Sequence, residues 1–133
     1  VIDPASHSME IARAGHNFTI LYRSASGSVD ILQSPGMPLG VTGGDMFGKA
    51  LKTETFTFEP GDVFVQYTDG LTEAMNPLKE EFGMDRFVEA IQQYSKYDAD
   101  YLVTKIMNTA EEFTDGHPQE DDISLVAVRR KDG

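Results

Sequence analysis

Residues Val63-Phe64-Val65-Gln66-Tyr67-Thr68-Asp69-Gly70 decide the fold of this chain. The first five are almost continuously apolar or aromatic, which is typical of a strand covered on both faces. The run ends abruptly at Thr68, and Gly70 permits a sharp turn with close approach of a ligand to the backbone. The stretch therefore predicts a central buried strand with the Asp69 carboxylate at its end.

The sequence before this strand alternates apolar and polar side chains with the period of half-buried strands. It predicts strands over residues 9–14, 18–23, 29–32 and 49–58, with a hairpin turn at 24–28 and an irregular Gly/Pro-rich loop at 34–44. After the central strand, two apolar stripes at helical spacing run over residues 84–94 and 102–113, with Asp98 placed to cap the second helix and Gly116 to end it. A last apolar strand covers 123–128, and residues 129–131 are expected to trail into solvent. This order predicts an α+β fold with adjacent helices packed on one face of a sheet.

Composition restricts the class of protein. The 133 residues suffice for one domain with a core, and 11 basic against 22 acidic residues give a net charge of −11, which argues against contact with a nucleic-acid backbone. No apolar run approaches the ~20 residues that span a bilayer. The absence of cysteine excludes disulfides and thiolate metal sites and fits a reducing compartment. The start at Val1, without a signal peptide, leads us to expect a segment of a longer cytoplasmic protein.

Acidic residues sit at the ends of the two most apolar strands. Asp69 follows the central strand, and Asp121-Asp122 precede the last one. If these strands are neighbours, their ends bring Asp69 and Asp121 together, and like charges repel unless a cation or proton lies between them. Mg²⁺ and Mn²⁺ prefer such oxygen ligands. Each residue taken alone is also typical of a turn or a solvated loop, and His16 is either a site residue or a polar turn residue.

Several motifs occur here in the same order as in a known family. They are Ala14-Gly15-His16-Asn17, Gly36-Met37-Pro38-Leu39-Gly40, Pro60-Gly61-Asp62, Tyr67-Thr68-Asp69-Gly70-Leu71-Thr72-Glu73-Ala74, Phe82-Gly83 and Asp121-Asp122-Ile123-Ser124-Leu125. From about Met9 to Arg129 the chain resembles the metal-dependent (PPM, type-2C-like) serine/threonine phosphatases, in their SpoIIE/RsbU-like bacterial branch.

The resemblance implies part of a β-sandwich with flanking antiparallel helices and a centre of two Mn²⁺ or Mg²⁺ ions at one end. It implies that Asp69 and Asp121 are metal ligands, that Asp122 is a further ligand or supports them, and that Gly70 keeps the turn open beside the metal. His16 lies in a motif near the site. The family's first metal motif, Gly-Asp-x-x-Gly-His-Gly, is missing, and Asp45 is a poor substitute. We therefore expect residues 1–133 to be the C-terminal portion of a single phosphatase domain.

The function implied by the resemblance is hydrolysis of phosphoserine or phosphothreonine on a regulatory protein, such as an anti-sigma-factor antagonist, by water activated between two metal ions. An N-terminal sensor or regulatory domain is expected in the parent chain, and the segment alone is expected to be inactive. The alternative is a non-catalytic module without a complete metal site that acts by protein–protein interaction. Sheet edges exposed in such a module are open to pairing, so a dimer is among the predicted assemblies.

Overall fold

A computed structural model describes residues 1–33, 38, 48–49 and 52–131 of the chain, and their strands form two antiparallel sheets. The strands are β1 (Ile2–Asp3), β2 (Ser8–Ala12), β3 (Thr19–Arg23), β4 (Ser28–Leu32), β5 (Thr53–Thr57), β6 (Val63–Tyr67) and β7 (Leu125–Arg129). The smaller sheet has the order β1–β2–β5, and the larger has the order β4–β3–β6–β7. The predicted hairpin is the β3–β4 pair, with Thr19 opposite Leu32 and Arg23 opposite Ser28.

Helices connect β6 to β7. They are α1 (Asp69–Thr72), α2 (Gly83–Tyr94) and α3 (Ala99–Thr114). The two long helices are those that the apolar stripes predict, with Phe87 and Ile91 buried on α2 and Leu102 and Ile106 buried on α3. The sequence did not predict α1, because one helical turn is too short to show a helical period.

The larger sheet is covered on both faces. On one face, side chains of β3 and β6 pack against α2 and α3, and Tyr67 meets Phe87 edge to face with ring centroids 4.8 Å apart. On the other face, Leu21 packs with Met9 and Phe58 between the two sheets, with Phe64 and Val128 beside them. This arrangement confirms the α+β fold with sandwiched sheets and flanking helices. It also explains the unbroken apolar run of β6, since alternate side chains enter different cores.

The strands predicted at 9–14, 18–23 and 29–32 are observed at Ser8–Ala12, Thr19–Arg23 and Ser28–Leu32, and the short strand Ile2–Asp3 was not predicted. Two further boundaries differ for an identifiable reason. The strand expected from residue 49 begins at Thr53, and Gly48 and Lys49 are helical. The Thr/Phe alternation that favours extended structure starts only at Thr53, so nothing in the sequence required a strand before it. The last strand begins at Leu125 rather than 123, because the backbone N–H of Ser124 donates to the Thr68 hydroxyl (2.8 Å) instead of to a strand carbonyl.

The prediction that residues 129–131 trail into solvent is wrong for the two arginines. Arg129 Nη1 donates to the Ser95 carbonyl and, at 2.9 Å, to the Tyr97 carbonyl. Arg130 Nη1 donates to the Phe58 carbonyl. A guanidinium carries several donors, and here they reach carbonyls that follow the end of α2 and the end of β5.

A buried carboxylate joins the elements at the end of the larger sheet opposite Asp69. Asp62 is 1% exposed and accepts hydrogen bonds from Arg23 Nη1 (3.0 Å) and from the backbone N–H groups of Ser24 (2.9 Å) and Glu59 (3.0 Å). Its own carbonyl accepts from the Arg130 backbone N–H (3.0 Å). The β3–β4 hairpin, the turn before β6 and the end of β7 are therefore held by one residue.

No helix in the described part of the chain combines the length and the apolar character needed to cross a membrane.

Candidate metal-binding site

The antiparallel pairing of β6 with β7 brings the two predicted acidic segments together. Tyr67 lies opposite Leu125, so the chain leaving β6 and the chain entering β7 meet at one end of the sheet. Beyond the ladder, the Thr68 backbone N–H donates to the Ser124 carbonyl (3.0 Å). The Thr68 hydroxyl donates to the Asp122 carbonyl (3.0 Å). These bonds place Asp69 beside the Asp121–Asp122 segment, as the sequence predicted for neighbouring strands.

Gly70 packs directly against the Asp121–Asp122 segment. It is buried in α1, and a Cβ added there would lie 2.6 Å from the Asp122 carbonyl oxygen and 3.2 Å from that of Asp121. The sequence predicted that Gly70 permits a ligand to approach the backbone. In the structure the neighbour that approaches is the chain itself, since the Asp121–Asp122 backbone occupies the space a side chain would need.

Asp69 is exposed and is the first residue of α1. A carboxylate in the first helical turn is favoured by the partial positive charge of the helix N-terminus. Within the described residues, its side chain has no hydrogen bond or ion pair. Burial raises the pKa of the neighbouring Tyr67 phenol, and the negative charge of Asp69 raises it further. Tyr67 therefore stays neutral and donates its hydroxyl hydrogen to Met84 Sδ at 3.2 Å.

Asp121 and Asp122 are also exposed. Asp121 Oδ1 accepts a hydrogen bond from the Asp122 backbone N–H (2.8 Å), and the Asp121 carbonyl accepts from Gln119 Nε2 (2.7 Å). These bonds fix the turn before β7, and within the described ranges the second carboxylate oxygen of Asp121 accepts no hydrogen bond.

A small cavity of about 90 Å³ opens beside Asp121, and its lining is strongly acidic. Its residues are Gly70, Glu73, Ala74, Met75, Glu81, Glu120 and Asp121. Asp69 is not among them. The sequence reasoning missed Glu73, Glu81 and Glu120 as members of this surface. The sequence could have indicated Glu73, because it lies four residues after Asp69, about one helical turn away. Glu81 reaches the cavity only through a tertiary contact.

The donor set fits a hard divalent cation only in part. Carboxylate oxygens are the ligands that Mg²⁺ and Mn²⁺ prefer, and Asp69 and Asp121 carry such oxygens on the segments that leave β6 and enter β7. However, no group of three or more His, Cys, Asp or Glu side chains is arranged to hold a metal ion within residues 1–33, 38, 48–49 and 52–131. The site in the described residues is therefore two candidate ligands with acidic surroundings.

His16 lies at the same end of the larger sheet but lines a different cavity from Asp121. Because β3 runs antiparallel to β6, the residues before β3 lie beside the end of β6, and Gln66 Nε2 donates to the Asn17 carbonyl at 3.1 Å. His16 is exposed, its carbonyl accepts from Arg13 Nη1 (2.9 Å), and it lines a pocket with Thr19 and Gln66. Its nearness to the metal site stays a prediction.

The glycine-rich loop motif at residues 36–40 lies outside the described residues except for Pro38, as does Asp45. Pro38 packs against the first motif, since a Cβ added to Gly15 would lie 3.0 Å from Pro38 Cα, and Gly15 has a φ of 92° that favours glycine. Two of the motifs that carry the resemblance are therefore in contact.

Residues 1–131 match the family model of Stage II sporulation protein E (SpoIIE). The chain belongs to the SpoIIE family. Protein IcfG of Synechocystis sp. (strain ATCC 27184 / PCC 6803 / Kazusa) is 30% identical to it over 134 residues, which cover 98% of this chain and 20% of that protein. The chain thus spans one fifth of this curated relative.

Solved structures of phosphatase domains share the fold. The SiaA-PP2C domain of Pseudomonas aeruginosa matches with a TM-score of 0.75 at 24% identity, covering 98% of this chain and 49% of that one. The Mn-presoaked phosphatase domain of SpoIIE from Bacillus subtilis matches with a TM-score of 0.71 at 16% identity, covering 100% of this chain and 55% of that one. The chain therefore corresponds to about half of each of these domains.

Proposed function

We propose that this chain is the C-terminal portion of a metal-dependent phosphatase domain that hydrolyses phosphoserine or phosphothreonine on a regulatory protein, such as an anti-sigma-factor antagonist. The observation that carries the proposal is the junction of Thr68–Gly70 with Asp121–Asp122 in a member of the SpoIIE family. The junction brings the segments that carry Asp69 and Asp121 together at one end of the sheet, which supports a ligand shared between the two carboxylates.

Asp69 and Asp121 would hold the metal, with Asp122 as a further ligand or a support for them. Two Mn²⁺ or Mg²⁺ ions, when bound, supply positive charge that lowers the pKa of water and neutralises phosphate oxygens. Similar domains have been solved after manganese soaking and, for RsbX, in complex with magnesium. The chain's own contribution is to fix the carboxylates: Thr68 ties the two strand ends, and Gly70 lets them touch.

The rest of the ligand set would come from outside the residues described here. This fits a chain that spans about half of the similar phosphatase domains, and it leads us to propose that the segment alone is inactive. SpoIIE has also been solved with a fragment of its regulatory domain, which supports a sensor or regulatory domain in the parent protein. A dimer and a cytoplasmic location stay predictions.

The experiment is Asp69→Asn in the full-length protein, assayed by hydrolysis of p-nitrophenyl phosphate across a Mn²⁺ titration. We expect kcat to fall by about 100-fold or more, since one charged ligand is lost while the exposed position leaves the fold intact. Asp100→Asn, an exposed acid in the first turn of α3, is the matched control and should keep full activity. Near-normal turnover of Asp69→Asn at saturating Mn²⁺ would refute the assignment.

One observation favours the non-catalytic alternative, namely that no group of three ligands is found in the described residues. Under that alternative, the full-length protein would show no Mn²⁺-dependent hydrolysis of p-nitrophenyl phosphate.

A further inference from the structure

The chain between α1 and α2 forms a small hairpin over residues 75–81, here called the site hairpin. Met75 and Glu81 form an antiparallel bridge at its base, and the Phe82 backbone N–H donates to the Ala74 carbonyl (2.8 Å). Phe82 is fully buried and packs edge to face on Phe113 of α3, with ring centroids 5.7 Å apart. The base of the hairpin is thus anchored in the main core.

The tip of the site hairpin is braced by one side chain. Asn76 Oδ1 accepts from the backbone N–H groups of Leu78 (3.0 Å) and Glu80 (2.9 Å), while Asn76 Nδ2 donates to Glu80 Oε2 (2.7 Å). Lys79 takes a left-handed conformation with a φ of 62°, which closes the turn. A loop held in this way loses little conformational entropy when a partner binds.

The hydrogen bonds of Asn76 hold the loop in a conformation that leaves Leu78 in solvent. Leu78 is 79% exposed at the tip. A scattered surface leucine is ordinary by itself. Leu78 differs in its position, because Met75 and Glu81 at the base of the same hairpin line the acidic cavity that contains Asp121. Anything that binds in this cavity therefore meets the hairpin.

We propose that the site hairpin is a substrate-docking element in which Leu78 contacts an apolar side chain next to the phosphorylated residue. The acidic groups of the hairpin, Glu80 and Glu81, and Glu73 in the cavity at its base favour basic side chains on the same substrate segment. The partner is therefore a phosphoprotein segment that carries one apolar residue among basic ones. This inference rests on the proposed phosphatase function and names the substrate class of that site.

The test uses the full-length protein with Mn²⁺ and a series of lysine-containing phosphoserine dodecapeptides in which a single leucine is moved through the positions flanking the phosphoserine. We expect wild-type protein to prefer leucine at one offset by about tenfold in kcat/KM, the gain from partly burying one leucine. Leu78→Ser should lose this preference and hydrolyse every peptide at the rate of the leucine-free parent. Hydrolysis of p-nitrophenyl phosphate should be unchanged, because this probe is too small to reach the tip.

The matched control is Ile31→Thr, which alters an exposed apolar residue on edge strand β4 and should keep the peptide preference. Asn76→Ala, which removes the brace, should lose the preference as Leu78→Ser does. The inference is overturned if wild-type protein shows no leucine preference at any offset, or if Leu78→Ser retains it. Absence of any Mn²⁺-dependent hydrolysis of p-nitrophenyl phosphate by wild type would instead reject the proposed function itself.

Discussion

At the scale of single residues, Gly70 links the fold to the candidate site. Its lack of a side chain lets α1 and the Asp121–Asp122 backbone touch, and this contact sets where the two carboxylates stand. A side chain here must displace a peptide group rather than the flexible end of a neighbouring residue. Such displacement costs energy, and it also moves a candidate ligand.

We predict that Gly70→Ala lowers the free energy of unfolding by about 1–3 kcal/mol, the usual cost of overpacking. In the full-length protein the same substitution should weaken the Mn²⁺ dependence of activity. Urea unfolding and a Mn²⁺ titration measure the two effects. Gly48→Ala is the control, because an added Cβ there meets none of the described residues within 4 Å, and alanine favours the helical conformation of Gly48 and Lys49. Equal stability of the two variants would contradict the steric argument.

At the scale of elements, different hydrogen bonds hold the strands together at the two ends of the larger sheet. At the Asp69 end, Thr68 extends the β6–β7 pairing through its hydroxyl. At the opposite end, the buried Asp62 carboxylate collects donors from the β3–β4 hairpin and from the turn before β6. Only the Thr68 bonds lie next to the candidate site. Substitution of Asp62 should therefore lower the free energy of unfolding while changing catalytic activity little.

We predict that Asp62→Ala destabilises the chain by about 3 kcal/mol or more, since it removes the acceptor of the Ser24 and Glu59 backbone N–H groups and the buried carboxylate partner of Arg23. Asp30→Ala offers a matched comparison, because Asp30 pairs with the same arginine at 3.3 Å but is 48% exposed. Its loss should cost less than about 1 kcal/mol. Chemical denaturation followed by circular dichroism tests both, and similar costs for the two variants would show that burial is not the deciding factor.

At the scale of the whole molecule, the excess of acidic over basic residues includes a cluster of carboxylates beside Asp121. The chain carries a net charge of −11, and Glu73, Glu81, Glu120 and Asp121 share one cavity. Attraction of divalent cations to this end is expected from charge alone, but tight and specific binding needs several ligands in fixed positions.

We predict that the isolated 133-residue chain, once shown to be folded by circular dichroism, binds Mn²⁺ more weakly than about 1 µM. Titration calorimetry of this chain beside its full-length parent measures the difference, and the parent should bind more tightly because it supplies further ligands. Two tightly bound ions per isolated chain would show that these 133 residues already complete a site.

The sequence by itself determined the main elements and the order of the motifs. The apolar run of β6, the Thr/Phe alternation of β5 and the two helical stripes are local patterns, and a local pattern fixes the local backbone. The position of Asp69 and Asp121 at strand ends followed from the same patterns. What the sequence left conditional was whether those strands are neighbours, because pairing joins residues more than fifty positions apart.

Only the tertiary structure decided that pairing and its consequences. It placed the Asp122 carbonyl against Gly70 and joined Thr68 to Ser124, so the last strand starts later than its apolar residues suggest. It drew Arg129 and Arg130 into the fold and brought Glu81 to the cavity beside Asp121. These outcomes depend on contacts between distant segments, whose geometry no single stretch of sequence contains.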